Sequence, residues 1–175
     1  MPHVSQRGQI GLVIGLLLIG IMARLLPHPP NATPLMAIAL FGGTYLPKRW
    51  AIWVPLAIVA LSDLILGWHS TVPFTWSACL LTGVIAWWVR GRLSVTRIII
   101  GALVSSWAFF LITNFGVWVT QTLYPKTAAG LWTCYVAALP FFRNMLAGDL
   151  LSTGILFGLF VLLDAQSTRL AAGRS

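Results

Sequence analysis

Four ionisable side chains fall inside apolar stretches of this chain: Arg24, Asp63, Arg143 and Asp149. A charge in hydrocarbon is costly, so each marks either a structural ion pair or a place where a polar ligand is held. Their signs allow two pairs, Arg24 with Asp63 and Arg143 with Asp149, and the spacing does not choose between partners. A fifth group, Cys79, lies in another apolar stretch. Its thiolate is a soft ligand for a transition metal, and the alternative is a thiol buried as a small hydrophobe. Cys134 makes no CxxC motif with it and no zinc-ligand spacing, although a Cys79–Cys134 disulfide is open to the pair on an oxidising side. His69, in Gly67-Trp68-His69-Ser70, could ligate a metal, gate by protonation or be a solvated loop residue. His28, between two prolines, reads as a rigid-loop residue.

Two helical faces would carry these groups. Thr75, Trp76, Cys79, Thr82 and Gly83 recur at helical spacing and share one small, polar face with a single aromatic. Phe110, Asn114, Trp118 and Gln121 form a comparable face in the next apolar run, and an unpaired Asn in lipid is expensive enough to turn that face inward. Together they describe a pocket with aromatic walls and few polar handles, suited to a bulky and partly apolar ligand.

The elements that position these faces are membrane spans. Of 175 residues, 58% are hydrophobic and 8% charged, against about a quarter charged in a soluble domain. Six apolar runs read as spans of one domain: Ile10–Leu26, Thr33–Leu46, Ala51–Leu66, Pro73–Val89, Ile98–Thr120 and Phe141–Leu163. The second and third fall short of the roughly 17 residues that a spanning helix needs. They carry Gly42-Gly43 and Pro55, and such interrupted segments line a cavity more readily than they face lipid. Leu131–Leu139 is too short to cross and reads as an interfacial segment or a lid over the pocket, with Pro140 closing it.

Eight of the eleven Lys and Arg residues sit in alternate connections and at the ends: Arg7, Lys48, Arg49, Arg90, Arg92, Arg97, Arg169 and Arg174. This positive-inside pattern puts both termini in the cytoplasm of a bacterial inner-membrane protein and the four intramembrane charges in the outer half. The net charge of +8 therefore reads as topology signal and anionic-lipid contact, not as a nucleic-acid surface. No phosphate-binding loop is present, so the chain does not hydrolyse a nucleotide by itself. Gly11/Gly15 and Gly154/Gly158 are small-xxx-small pairs that suit close helix packing, within the bundle or against another membrane subunit.

Several stretches carry a family resemblance: Met22-Ala23-Arg24-Leu25-Leu26-Pro27, Leu40-Phe41-Gly42-Gly43, Leu61-Ser62-Asp63-Leu64, Thr113-Asn114-Phe115-Gly116-Val117-Trp118 and Ala138-Leu139-Pro140-Phe141-Phe142-Arg143-Asn144. Over most of residues 20–160 the chain resembles the small six-helix substrate-binding S-components of energy-coupling-factor vitamin transporters. Within them it is most similar to the solitary cobalamin transporters of Gram-negative bacteria (BtuM-like). The resemblance implies an S-component-like all-α membrane bundle that binds and takes up cobalamin or a related corrinoid. It implies Cys79 as the axial ligand of cobalt, with cysteine-assisted loss of an upper cyanide as a possible catalytic role. Under that reading Phe74, Trp76, Asn114 and Tyr135 would be wall contacts, and Asp63, His69 and Arg143 would meet amide arms or the nucleotide tail, on depth and face alone. S-components dock on an energy-coupling module through Ala-x-x-x-Ala in the first helix; here Gly11 and Gly15 hold that spacing. Rival readings are an S-component for another vitamin or for a metal ion, an intramembrane thiol-redox enzyme using both cysteines, and a scaffold subunit.

Overall fold

A computed structural model of the chain describes residues 6–27, 29 and 31–172. Six helices follow one another: α1 Gln6–Leu25, α2 Leu35–Tyr45, α3 Lys48–Leu66, α4 Val72–Gly91, α5 Val95–Thr120 and α6 Ala128–Ala172. No strand occurs among the described residues. His28 lies outside them. Four helices, α1, α4, α5 and α6, are long and apolar enough to cross a membrane. Their outward faces are apolar as well: Leu18, Val84, Val95, Leu151 and Leu162 are all more than half exposed. A surface of that kind has no place in water and belongs against lipid.

The shortest helix organises the bundle. At 11 residues α2 is about 16 Å long, roughly half the hydrocarbon thickness of a bilayer. Its residues Leu35 to Thr44 are all buried. A helix that is apolar on every side can only be satisfied by protein on every side. Accordingly, α2 packs against all five other helices. Around it, α1 packs on α3, α3 on α4, α4 on α5 and α5 on α6. The ring does not close, because α1 and α6 do not pack on each other among the described residues.

Small residues allow α2 its place. A Cβ built on Gly43 would lie 2.3 Å from the Cβ of Ala86, so α2 and α4 approach as closely as two backbones can at that point. On the other side of α2, Phe41 meets Phe157 edge-on at 5.2 Å, and Tyr45 stacks near Phe160 at 4.1 Å.

The basic loops gather at one end. Arg90 donates from Nη1 to the Leu46 carbonyl at 2.6 Å, capping the end of α2. Arg97 donates to the Trp88 carbonyl at 3.1 Å and lies 4.8 Å from the centre of the Trp88 ring. Lys48 sits 5.6 Å from the centre of the Trp87 ring. The opposite end carries the turns after α1, α3 and α5, with Asn31 in the left-handed region at φ 63° and Gly67 at φ 97°. Asn tolerates that conformation through its short polar side chain, and glycine through having none.

One expected boundary fails. Leu131–Leu139 is neither a separate interfacial segment nor a lid: it is the first part of α6, which runs unbroken through Pro140. The physical reason is a buried stripe. Cys134, Ala138, Phe142, Met145, Asp149, Thr153 and Phe157 are all buried and follow one another in steps of three and four, one continuous helix face across the proline. Packing on α5 holds that face in line, and neighbouring helices allow a proline inside a membrane helix.

Candidate functional site

The intramembrane charges fall at the end away from the basic loops. Arg24, in the last turn of α1, donates from Nη2 to Oδ1 of Asp63 on α3 at 2.6 Å. The Asp63 side chain is 1% exposed and that of Arg24 is 14% exposed. The pair leaves the Nε of Arg24 and the Oδ2 of Asp63 without partners. Asp149 on α6 is the other buried carboxylate, 1% exposed. Its Oδ2 accepts from the Ser106 hydroxyl on α5 at 2.8 Å. The backbone amides of Met36 and Ala37, in the open first turn of α2, stand near the same carboxylate, where the positive end of a helix dipole favours an acid. Even so, Oδ1 has no partner at hydrogen-bond geometry. Of the two pairings that the signs allowed, Arg24–Asp63 forms, and Asp149 turns to Ser106.

A cavity of about 220 Å³ lies between these groups, lined by Arg24, Asn31 and Thr33 of the α1–α2 connection, Met36, Phe109, Met145 and Asp149 among others. It occupies the seam where α1 and α6 do not touch. The α1–α2 connection closes that seam from outside: a Cβ built on Gly148 of α6 would lie 3.4 Å from the backbone of Ala32.

Cys79 sits nearby but not in the hollow. It is fully buried in the main apolar core, beside α2 and α4 residues such as Met36 and Ala86. It lines neither this cavity nor the two described below. Its face of α4 is the expected one, since Thr75, Cys79, Thr82 and Gly83 are buried together. Thr82 donates to the sulfur of Met36 at 3.2 Å. Both cysteines are free.

The other expected contacts separate into groups. Trp76 is half-buried, its Nε1 unpartnered, and it meets Trp68 edge-on at 6.2 Å. Phe74 packs on Phe115 at 6.3 Å and fills the space that a Cβ on Gly116 would need. Asn114 spends its amide on the Phe110 carbonyl of its own helix at 2.8 Å. Tyr135 donates to the Leu111 carbonyl at 2.9 Å, and Cys134 lies 3.5 Å from the Asn114 carbonyl, so both tie α6 to α5. His69 is exposed, with Nδ1 2.8 Å from the Thr71 hydroxyl. Arg143 is exposed on the outward face of α6, beside a separate hollow that it lines with Pro140, Asn144 and Ala147. A third, apolar hollow runs between α5 and α6 near Val95, Thr153 and Phe157.

The structure thus pairs Arg24 with Asp63, sets Arg24 and Asp149 on one cavity, and leaves Cys79 in the apolar core and His69 and Arg143 apart from them. Ser106, Met36 and Phe109 complete the setting and were not singled out from the sequence. Ser106 stands 43 residues from Asp149, and no sequence signal joined the two. Among the described residues no three His, Cys, Asp or Glu side chains cluster as metal ligands.

Comparison with curated proteins and with solved structures finds no match. A family pattern does match, over residues 5–171 and so over nearly all of α1 to α6. The chain belongs to that family, DUF6580, a family of unknown function.

Proposed function

We propose that this protein is a six-span component of the bacterial inner membrane that binds cobalamin or a related corrinoid at its outer end and takes it up, both termini facing the cytoplasm. The observation that carries the reading is the buried Arg24–Asp63 pair and the buried Asp149 at one end of an otherwise apolar bundle, with Arg24 and Asp149 lining one cavity. Polar groups left unmet at membrane depth mark a ligand path. The resemblance over residues 20–160 supplies the cargo. A bare metal ion would need several protein ligands, whereas cobalt in a corrin brings its own equatorial nitrogens and needs one. Cys79 would be that one, as a thiolate below the metal. Donation from sulfur would weaken the bond to an upper cyanide, which would leave with both bonding electrons and carry the thiol proton away as hydrogen cyanide, cobalt keeping its oxidation state.

A hollow of 220 Å³ is below the roughly 300–1,000 Å³ of ordinary ligand sites. The described form therefore has no room for a corrin, and binding would lift the α1–α2 connection from Gly148 and shift α2 away from α4 to uncover Cys79. Gly11 and Gly15 have no atom within 4 Å of a built Cβ, so close approach by an energy-coupling helix would meet no obstruction there. The test is uptake: a cobalamin-transport-deficient strain expressing the wild-type chain grows on low cobalamin, and Cys79→Ala loses growth at the same protein level. Growth rescue for a different vitamin, or rescue by Cys79→Ala equal to wild type, would discard the reading.

A further inference from the structure

The hollow between α5 and α6 has a length that matches one leaflet of a bilayer. Its volume is about 540 Å³, and its lining runs from Val95 to Ala102 on α5 and from Leu150 to Leu162 on α6. From Leu150 to Leu162 is about 18 Å of helix, close to half of the roughly 30 Å hydrocarbon core. One end lies at the start of α5, beside the basic loops. The other lies next to Asp149, which bonds Ser106 near the middle of α5. The hollow thus begins at the membrane surface and stops at mid-depth.

Its lining suits a hydrocarbon chain. Thr153 is the only lining residue with a polar side chain. Ala102 and Phe157 are buried at its floor, while Val95 and Leu162 are 74% and 62% exposed at its rim. Gly154 and Gly158 keep it open, since a Cβ built on either meets no atom within 4 Å. A partner helix that crosses the bilayer needs a receiving face of about twice this length. An acyl chain of one leaflet ends where the hollow ends. The surface end carries positive charge. Arg92 is exposed three residues before Val95, and Arg97 and Lys48 are held at the same end on Trp88 and Trp87. Asp164 is the only acid at that end. A headgroup at that level meets a positive field, which favours an anionic lipid over a zwitterionic one.

We propose that this hollow seats one anionic phospholipid from the leaflet next to the basic loops, an acyl chain lying along Gly154 and Gly158 and the phosphate against the Arg92 turn. This rests on α5 and α6 crossing the membrane, and not on the identity of any transported ligand. The test is native mass spectrometry of the full-length protein in one detergent, titrated with phosphatidylglycerol and with phosphatidylcholine of the same acyl chains. Phosphatidylglycerol binds at one per chain, at least tenfold more tightly than phosphatidylcholine. Gly154→Leu with Gly158→Leu fills the hollow and lowers phosphatidylglycerol affinity at least tenfold, with helix content unchanged by circular dichroism. Arg92→Gln lowers the preference for phosphatidylglycerol over phosphatidylcholine at least threefold. Equal binding of the two lipids overturns the proposal, as does full phosphatidylglycerol affinity in the filled variant or an unchanged preference in Arg92→Gln. Dimers that the two leucines abolish, with no lipid on the monomer, would assign the hollow to a second copy of the chain and overturn it too. If the filled variant does not fold, the ranking of the lipids in the unaltered protein and its loss in Arg92→Gln still decide.

Discussion

Replacing Asp63 by Ala tests whether the seam is built on a buried ion pair. Asp63 is 1% exposed at the side chain, its Oδ1 lies 2.6 Å from the Nη2 of Arg24, and Arg24 is 14% exposed. Removing the acid leaves a guanidinium whose Nε is already unpartnered with no counter-charge. Breaking a buried pair from one side costs about 3–5 kcal/mol. At about 2–4 °C per kcal/mol for a chain of this size, the midpoint of thermal unfolding falls by roughly 6–20 °C. The double variant Arg24→Met with Asp63→Leu removes both charges and fills the space. It should unfold within about 2 kcal/mol of wild type, since an apolar replacement of a buried pair is often neutral or stabilising. The assay is thermal unfolding in one detergent, followed by tryptophan fluorescence, for wild type, both single variants and the double. A loss below about 1 kcal/mol for Asp63→Ala would be the signature of a solvated surface pair. That result, or strict additivity in the double variant, would refute the burial argument.

Three further outcomes follow from the packing. Gly43→Ala places a Cβ where Ala86 already stands, at 2.3 Å, and should destabilise by about 1–3 kcal/mol in the same assay. Gly154→Ala and Gly158→Ala meet nothing within 4 Å, and each should leave the midpoint unchanged or slightly raised, because Ala is the better helix former. Ala32→Cys with Gly148→Cys puts two thiols across the seam, where a Gly148 Cβ lies 3.4 Å from the Ala32 backbone. Oxidation should join them, seen as a gel shift reversed by reductant, and should block uptake that reduction restores.

The sequence carried the architecture further than the site. Composition and the alternation of basic loops place helices end to end, and expected and observed helices agree within a few residues for α1 to α5. On sequence grounds Gly42-Gly43 in α2 and Pro55 in α3 mark cavity-lining segments; α2 is instead packed by protein along its length, and α3 turns Trp53, Leu64 and Ile65 outward. That α2 would stand in the centre and touch every other helix depends on tertiary packing, which no local pattern states. Cys79 was put on the correct buried face of α4, yet which helix covers that face was not readable, and α2 covers it here. Arg143 was misjudged for a reason that the sequence did contain. Phe142, Met145, Asp149 and Thr153 form a single stripe, and Arg143 lies about 100° round from Phe142, so the register inside the expected span Phe141–Leu163 already turned Arg143 away from Asp149. Ser106 and Asp149 are 43 residues apart, a partnership that only the fold discloses.

The visible absorption spectrum of the purified protein after incubation with cyanocobalamin addresses the central claim most directly. The account predicts a corrinoid that stays with wild-type protein through gel filtration and shows shifted bands from sulfur below the cobalt. Cys79→Ala should either fail to retain it or retain it with the free-solution spectrum. A wild-type protein that retains no chromophore, or one whose bound spectrum is the same with Ala at position 79, would contradict it.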